Sequence, residues 1–572
     1  KGGLSWSVSD WNSLAGKFVK AVRAGFITMI ITRVAGLQPD PASIAAKLLH
    51  WLLALVLILP VVAIAVTAMG DSKGILWHLI QTRLGDYIFN TVVLMAGVGV
   101  LSLFFGVGTA WIISRYSFPF RPVLEWLLVL PAAVPAYLVA YTYTDFMEYA
   151  GPVQTILRDV TGWKTSRDYW FPEIRSMGGA ILVMASVLYP YVFITARTAF
   201  RMTSMRLFEA AIVAGQSRLL AVALPLARPG IVAGLALVLM EVVSDFGTVE
   251  YFAVDTITLG IFNVWLGMNN ITLAAQLALM AVVLIVFLLW MENQARAKRR
   301  TENMARGGSG VPVIRAVGAW RLVLPLLCMV PVALGFILPV SVLAGFIISG
   351  VSGAMDDAIL DAITNTGMAA LISAGLIMIT AAYLGIMAKH KSARPGRMVT
   401  AFSAMGYAFP GTILAIGVLT ASGYGDALIR WFNPETNFII TGSLLMLVMG
   451  YVVRFQAVGF GTVQSGLEKQ PANLVAASRV MGHGFIKAVW RIILPLLRPS
   501  LLAGFLLAFV DIMKELPISL LLRPFNFETL ATLTHQYAKE ELLEEAAIPA
   551  LIIVLAGLLP VIIINRSLSI KR

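Results

Sequence analysis

The chain has 572 residues, of which 59% are hydrophobic and only 13% are charged, and its mean hydropathy is +0.85. Soluble globular domains contain about a quarter charged residues, so this composition excludes an ordinary soluble protein and indicates one that is embedded in lipid. The net charge is +13, but the basic residues recur in alternate loops, so membrane lipid is the expected partner and nucleic acid is not.

Twelve apolar windows follow one another along the chain, each long enough to cross a bilayer as a helix. A hydrocarbon core of about 30 Å requires about 20 apolar residues per helix. The windows lie at 47–69, 90–113, 122–146, 177–199, 229–252, 270–292, 322–348, 365–388, 398–422, 437–461, 499–521 and 544–565. The sequence therefore predicts an all-α polytopic membrane protein of about twelve transmembrane helices.

The distribution of Lys and Arg predicts how these helices are oriented. Basic residues are concentrated before the first window, after the second, fourth, sixth and eighth windows, and at the C-terminal end. The loops around Glu250 and Asp356 carry acids but no Lys or Arg. By the positive-inside rule, both ends of the chain are predicted to be cytoplasmic, with an amphipathic interfacial segment at 1–46 and a tail at 567–572.

The chain contains an internal repeat of about 270 residues. Asn90-Thr91 and Asn365-Thr366 open equivalent windows, and ALPLARPGIVAG at 223–234 matches ILPLLRPSLLAG at 493–504. The first half is predicted at 47–292, the cytoplasmic linker at 293–321 and the second half at 322–566. Because each half has an even number of windows, the halves enter the membrane with the same orientation, and a pathway is expected on the axis between them.

A repeated cytoplasmic loop lies between the fourth and fifth windows of each half, predicted at about 203–230 and about 464–498. Small residues let a helix end approach another protein closely, Gly permits a sharp turn, and Pro is tolerated where the next helix starts. The candidate residues are Glu209, Ala210, Ala211, Gly215 and Pro225 in the first copy, and Ala476, Ala477, Gly482 and Pro495 in the second.

Both loops resemble the E-A-A-x-x-x-G loop of the permeases of bacterial ABC importers, in which a short helix docks onto the ATPase. The resemblance implies the type I ABC importer permease fold in two homologous six-helix halves, in the bacterial inner membrane. It also implies a homodimeric ATP-binding subunit and a periplasmic substrate-binding protein as partners. Two departures are visible: Ala476 stands where the family has Glu, and Gly215 precedes Pro225 by ten residues whereas Gly482 precedes Pro495 by thirteen.

Enzymatic chemistry is not expected in this chain. It contains no G-x-x-x-x-G-K-[ST] run and no H-E-x-x-H pattern, so the binding of ATP and Mg is assigned to the partner subunit and no cofactor is expected here. The single cysteine, Cys328, lies in an apolar run and is interpreted as a small buried hydrophobe.

Two stretches resemble one group of these permeases in particular. EVVSDFGTVEYFAVDTITLGIFNVW at 241–265 and DIMKELPISLLLRPFNFETLATLTHQYA at 511–538 look like the fifth-span regions of fused ferric iron permeases. This resemblance implies import of Fe3+ by alternating access. Thiamine, polyamine and oxyanion permeases share the architecture or the loop and are alternatives. A twelve-helix secondary transporter is the alternative from another class.

Four carboxylates in equivalent windows are candidates for the translocation pathway: Glu241, Asp245, Asp511 and Glu515. Ionisable residues within spans are costly and suggest a pathway, and hard cations such as Fe3+ prefer oxygen ligands, but no metal site is assigned. The alternatives are a structural ion pair involving Lys514 and a capping role at helix ends.

Two further features are interpreted structurally. Tyr137, Tyr141 and Tyr143 are predicted to form an interfacial aromatic belt, with a ligand role as the alternative. Arg454, within the tenth window, is expected to extend toward the cytoplasmic surface, with a position facing the cavity as the alternative.

Overall fold

A computed structural model describes residues 41–72, 74–203, 205–303, 313–350, 355–390, 406, 409–471 and 473–569. Four predicted features fall wholly or partly outside these residues: the interfacial segment, the middle of the linker, the beginning of the ninth window and the end of the tail. Contacts within the chain divide it into two compact units, Lys1–Leu55 and Val56–Arg572. The described residues of the first unit belong to one helix, and the second unit contains the rest of the fold.

The first half is helical almost throughout. Its α-helices are α1 (Pro41–Ala68), α2 (Ile75–Thr82), α3 (Leu84–Arg115), α4 (Arg121–Leu127), α5 (Ala136–Met147), α6 (Pro152–Thr161), α7 (Met177–Arg201), α8 (Met205–Val213), α9 (Leu224–Ser244), α10 (Gly247–Tyr251), α11 (Ile257–Phe262) and α12 (Ile271–Asn303). A 3-10 turn (Leu130–Ala133) follows α4, and π-helical turns precede α9 (Arg218–Ala223) and follow α11 (Asn263–Gly267).

The second half is also helical almost throughout its described residues. Its helices are α13 (Trp320–Val332), α14 (Leu338–Ile348), α15 (Asp357–His390), α16 (Gly411–Phe432), α17 (Leu444–Glu468), α18 (Leu474–Val480), α19 (Phe485–Ala488), α20 (Leu494–Met513), α21 (Pro517–Leu522), α22 (Leu530–Lys539) and α23 (Leu543–Ser569). π-helical turns join α13 to α14 (Ala333–Ile337) and α19 to α20 (Val489–Ile493). A short parallel pair, β1 (Tyr116–Ser117) and β2 (Ile314–Arg315), ties the loop after α3 to the end of the linker.

The helices confirm a multi-pass membrane protein. Among the described residues, ten helices are long and apolar enough to cross a membrane. The predicted third window is a broken pair, Arg121–Ala133 and Ala136–Thr161, which bends by 94°. Pro131 and Pro135 flank this break, where the missing proline N–H interrupts the helical hydrogen bonds. The sixth window corresponds to a shorter apolar stretch, Ile271–Phe287, and the count of twelve spans stays a prediction.

Small residues let neighbouring helices within each half approach closely. A Cβ at Gly234 of α9 would overlap Thr195 of α7, and a Cβ at Gly504 of α20 would overlap Thr462 of α17. These two contacts occupy equivalent positions of the repeat. Because lipid offers no hydrophobic driving force between helices, close backbone packing at small residues is a main source of their association. The contacts hold α9 and α20 against their neighbours.

The two halves also interlock through crossed contacts. Gly417 of α16 packs against the carbonyl of Pro60, in the part of α1 that belongs to the second unit. Gly335, between α13 and α14, packs against the carbonyl of Ser186 in α7. A Cβ at either glycine would collide with a backbone atom, which cannot move aside as a flexible side chain can. Each half therefore receives a helix from the other.

Candidate functional site

The short helix in each repeated loop, α8 or α18, ends in the same hydrogen-bonded turn. It is a Schellman motif, in which two N–H groups beyond the helix end bond back to carbonyls three and five residues earlier. Gly215 and Gln216 form it after α8, and Gly482 and His483 form it after α18, with N···O distances of 2.8–3.0 Å. The φ angles of Gly215 and Gly482 are 65° and 78°. This left-handed region costs other residues about 1–2 kcal/mol, so the turn itself requires glycine.

Each loop helix exposes an apolar side chain just before this turn. Val213 is 90% exposed and Val480 is 89% exposed, at equivalent positions of the repeat. Phe208 and Val475, also equivalent to each other, are buried and anchor the two helices. Of the predicted contact residues, Glu209, Ala210, Ala476 and Ala477 are exposed and Ala211 is buried. The buried anchors and the exposed apolar residues leave one face of each loop helix uncovered within the chain, and the docking of the ATPase on that face stays a prediction.

The Leu-Pro pair starts an α-helix in both loops, as the sequence predicts, since α9 begins at Leu224 and α20 begins at Leu494. Further helical turns precede both α-helices, so the continuous helical segments begin earlier, at Arg218 and at Phe485. In both, the turn directly before Leu-Pro is π-helical. Proline lacks an N–H and its ring collides with the carbonyl four residues earlier, and a wider turn relieves both problems. The three-residue difference between the loops falls here, because the second helix has the additional turn α19 before its π-helical turn.

Helices α9 and α20 both break at a predicted pathway acid. Asp245 follows α9 and caps α10, since its Oδ1 accepts hydrogen bonds from the N–H groups of Thr248 and Val249 at 3.0 and 3.2 Å. Glu515 lies two residues beyond α20, and its Oε1 accepts from the N–H of Ile518 in α21 at 3.3 Å. The fifth and eleventh windows are therefore interrupted, unlike the continuous helices predicted. Within a membrane, irregular backbone is tolerated only where protein buries it or where it lines a cavity.

The two breaks border one cavity of about 140 Å3. The predicted acids Glu241, Asp245, Asp511 and Glu515 all line it, as do two cations, Arg454 and Lys514. The cavity thus lies between the halves, and four carboxylates against two cations give its lining a formal charge of −2. Among the described residues, no three His, Cys, Asp or Glu side chains are grouped closely enough to hold a metal ion. The four acids line the cavity, but they are not grouped closely enough to form a metal site.

Two of the four carboxylates are paired with cations of their own half. Arg454 Nε lies 3.3 Å from Glu515 Oε2, and Arg454 Nη1 donates to the carbonyl of Phe409 at 3.2 Å. Lys514 Nζ lies 2.9 Å from Asp511 Oδ1. The expectation that Arg454 extends to the cytoplasmic surface is wrong, because a buried carboxylate and a carbonyl hold its guanidinium at the cavity. The sequence placed Lys514 beside an acid, and the structure identifies that acid as Asp511, one helical turn away.

The repeated Asn-Thr pair anchors the chain beyond each break, which sequence reasoning missed. In α3, the Thr91 hydroxyl accepts from the N–H of Ile257 at 3.0 Å, and in α15 the Thr366 hydroxyl accepts from the N–H of Leu530 at 2.8 Å. The asparagine of each pair donates to the carbonyl two residues before that N–H, at 3.1 Å in both halves. The repeated Asn-Thr pair was the signal in the sequence, but the backbone groups that it binds lie more than 160 residues away along the chain.

A second cluster joins the halves beside the cavity. Tyr141 OH lies 2.7 Å from His535 Nδ1, and His535 Nε2 lies 3.1 Å from Glu250 Oε2. The other oxygen of Glu250 lies 2.7 Å from Lys539 Nζ. Phe246, which lines the cavity, has its ring 6.3 Å from the His535 ring. One layer of side chains therefore separates the cavity from this cluster.

The predicted aromatic belt is wrong, because Tyr137, Tyr141 and Tyr143 are all buried. Belt residues lie at the lipid headgroups. Instead, Tyr137 lines the cavity, Tyr141 belongs to the second cluster, and Tyr143 OH donates to the carbonyl of Leu334 at 2.9 Å. The three tyrosines connect the cavity wall to the contact between the halves.

Comparison with known proteins agrees with this architecture. Residues 381–571 match the family model described as binding-protein-dependent transport system inner membrane component. The chain is 21% identical over 515 residues to the Fe(3+)-transport system permease protein FbpB 2 of Haemophilus influenzae, covering 88% of this chain and 94% of that protein. It is 21% identical over 531 residues to the ferric transport system permease protein FbpB of Actinobacillus pleuropneumoniae, covering 86% and 73%.

A shorter match concerns a different substrate. The chain is 27% identical over 272 residues to the sulfate transport system permease protein CysW of Escherichia coli, covering 44% of this chain and 89% of that protein. The family match, the membrane helices and the similarity to ferric permeases over most of the length point the same way. Residues 381–571 therefore match the inner-membrane component of binding-protein-dependent transport systems, and the chain as a whole is a multi-pass membrane protein that is similar to ferric permeases over most of its length.

Proposed function

We propose that the protein imports ferric iron, delivered by a periplasmic binding protein, by alternating access driven by a separate homodimeric ATPase. The observation that carries this proposal is the cavity at which four carboxylates from both halves meet. Carboxylate oxygens are ligands that hard, highly charged cations prefer. The similarity of most of the chain to two ferric permeases supports the same substrate.

The loop helices α8 and α18 are the proposed docking sites for the two ATPase subunits. Val213 and Val480 offer the exposed apolar contacts. Each loop leads directly into a helix that ends at the cavity, Arg218–Ser244 in the first half and Phe485–Met513 in the second. A displacement of the loop by the ATPase would therefore move the helix that carries the acids. Because Ala476 replaces the equivalent of Glu209, the two docking sites are expected to be unequal in strength.

The cluster of Tyr141, Glu250, His535 and Lys539 is the proposed outer closure of the pathway. It lies one side-chain layer from the cavity and joins the two halves. An outward opening between the halves would have to separate Glu250 from both His535 and Lys539. Binding of the loaded substrate-binding protein, together with ATP, would supply the free energy for that separation.

Oxyanion import is the second candidate. Arg454 and Lys514 provide two cations in the cavity, and the sequence is similar over almost half its length to a sulfate permease. Against this candidate, both cations are already paired with carboxylates, and the lining as a whole is acidic. An anion would therefore enter a site whose formal charge repels it.

The test is ATP hydrolysis by the permease and its ATPase reconstituted together in lipid nanodiscs. The binding protein is titrated in without ligand, with Fe3+ and with sulfate. Stimulation that requires the iron-loaded protein is expected. Stimulation only by a sulfate-loaded protein would replace iron with an oxyanion, and no stimulation by any loaded protein would refute the proposed import cycle.

The docking assignment is tested with the same partners. Val213→Ser and Val480→Ser are expected to lower the amount of ATPase that co-purifies with the permease, because each removes an exposed apolar contact. Val160→Ser is the matched control, since Val160 is equally exposed, at 81%, but lies on α6, far along the chain from either loop. Equal ATPase capture by all three variants would refute the assignment.

A further inference from the structure

The cavity carries an unequal distribution of charge, although its acids are repeated. The repeat pairs Glu241 with Asp511 and Asp245 with Glu515. Both cations, however, come from the second half. At the positions equivalent to Arg454 and Lys514, the first half has Val187 and Ser244, which line the same cavity. The duplicated fold therefore does not require cations at these positions, and their presence in one half calls for a functional explanation.

The two cations are held in different ways. Arg454 is 9% exposed, forms an ion pair with Glu515, and donates a hydrogen bond to the carbonyl of Phe409. Its Nη1 also packs against Gly411, where a Cβ would come within 3.0 Å. A planar guanidinium with partners in fixed directions is immobilised. Arg454 therefore acts as a permanent part of the wall.

The side chain of Lys514 has more freedom to move than that of Arg454. It is the first residue after α20, so its backbone belongs to the break rather than to the helix. Its side chain is 29% exposed, its ammonium pairs with Asp511, and Glu241 of the other half lines the same cavity. A flexible four-carbon stem lets the ammonium swing within the cavity. Lys514 thus shares the cavity with a carboxylate of each half, Asp511 and Glu241.

We propose that Lys514 is a tethered counter-ion that takes the place of the substrate cation between Asp511 and Glu241 and is displaced when a multivalent cation enters. The assignment rests on the cation import proposed above, and it deepens that proposal by naming the residue that selects the charge of the substrate. Without Lys514, four carboxylates would share a small space with only one cation and would repel one another.

The physical reason for selectivity is competition between a tethered and a free cation. A tether gives the ammonium an effective concentration of about millimolar or above at its site. A sodium or potassium ion has the same charge as the ammonium and must displace it without any electrostatic gain. A trivalent cation at the same distance attracts each carboxylate about three times as strongly. Lys514 therefore admits highly charged cations and discriminates against the abundant monovalent ones.

The experiment measures Tb3+ binding to the permease–ATPase complex in nanodiscs. Tb3+ is a trivalent cation that prefers oxygen ligands, and Tyr137 and Tyr191 in the cavity wall can sensitise its luminescence. Lys514→Gln is expected to raise Tb3+ affinity by about tenfold or more, and to make that binding sensitive to Na+. Lys514→Arg keeps the charge and is expected to behave like the wild type. Lys164→Gln, at an exposed lysine in the loop after α6, is the matched control.

Asp511→Asn provides a second test that does not depend on Lys514 variants. It removes a proposed ligand together with the partner of the ammonium, so Tb3+ affinity is expected to fall below the wild-type value. Equal affinity in Lys514→Gln and the wild type, including no binding by either, would overturn the counter-ion proposal. So would an equal gain in Lys514→Arg, because charge would then not be the cause. ATPase stimulation by the iron-loaded binding protein is measured in the same preparations, and if it is intact, the proposed import function survives that failure.

Discussion

Removing the charge of Glu515 while Arg454 stays in place is expected to destabilise the protein far more than removing both charges together. Their Nε and Oε2 atoms lie 3.3 Å apart, and the side chains are only 11% and 8% exposed. Glu515→Gln keeps an oxygen that can accept from the N–H of Ile518, so the change removes little besides the charge. An uncompensated guanidinium then remains in the cavity wall.

The magnitude follows from the distance and the burial. Two unit charges at this separation attract by about 5 kcal/mol where the effective dielectric constant is about 20. Because both groups lost hydration on burial, most of that attraction offsets desolvation. Removal of one partner from such a pair typically costs about 3–5 kcal/mol, whereas apolar or neutral replacement of both is often close to neutral. We therefore expect Arg454→Met/Glu515→Gln to cost about 1 kcal/mol or less.

The assay is a double-mutant cycle on the free energy of unfolding, measured by titrating the purified permease from mild detergent into dodecyl sulfate. The control is Arg523→Gln, which breaks a pair with Glu528 whose side chains are 26% and 29% exposed. Such a partly hydrated pair is expected to contribute about 1 kcal/mol or less. The reasoning is refuted if Glu515→Gln loses no more stability than this control, or if the losses of the two single variants simply add in the double variant.

Two further predictions concern glycines. The new Cβ of Gly482→Ala would meet no atom within 4 Å, so the expected loss of stability, about 1–2 kcal/mol, comes from the left-handed backbone alone. Less ATPase is expected to co-purify with this variant, and Gly482→Asn is expected to retain more of it. If the alanine variant captured as much ATPase as the wild type, the role of the turn would be contradicted. Gly335→Val would place a side chain against the carbonyl of Ser186 and is expected to lower the melting temperature. Gly345→Val is the control, because Gly345 has open space around it and the change is expected to be nearly neutral. Equal melting temperatures of the two variants would argue against the contact between the halves at Gly335.

Much of the architecture could be predicted because it depends on local patterns. A window of about 20 apolar residues indicates a membrane span whatever its neighbours are, and a duplicated segment shows its equivalences in the sequence. The Schellman turn is equally local, since Gly215 and Gly482 bond back to carbonyls within their own helices. The pathway acids were candidates for a similar reason, because a carboxylate within a span is costly in any fold.

Predictions failed where a residue's role depends on a partner far away in the sequence. Arg454 has a carboxylate partner 61 residues later, and hydropathy alone could not distinguish that arrangement from an extension to the membrane surface. The Tyr141 hydroxyl meets His535, 394 residues away. Helix breaks at Asp245 and Glu515 were also missed, because the apolar windows continue through them and only the capping bonds stop the helix.

The sequence by itself indicated the lipid surroundings, the duplication, the paired loops and the four candidate acids, since each follows from composition, spacing or short-range periodicity. Only the tertiary structure decided that these acids surround one cavity, that Arg454 and Lys514 share it, and that a separate cluster joins the halves beside it. The physical reason is that charge pairing is a property of distance in space. In a chain of two interlocked halves, groups that lie a few ångströms apart in space are separated by dozens to hundreds of residues along the chain.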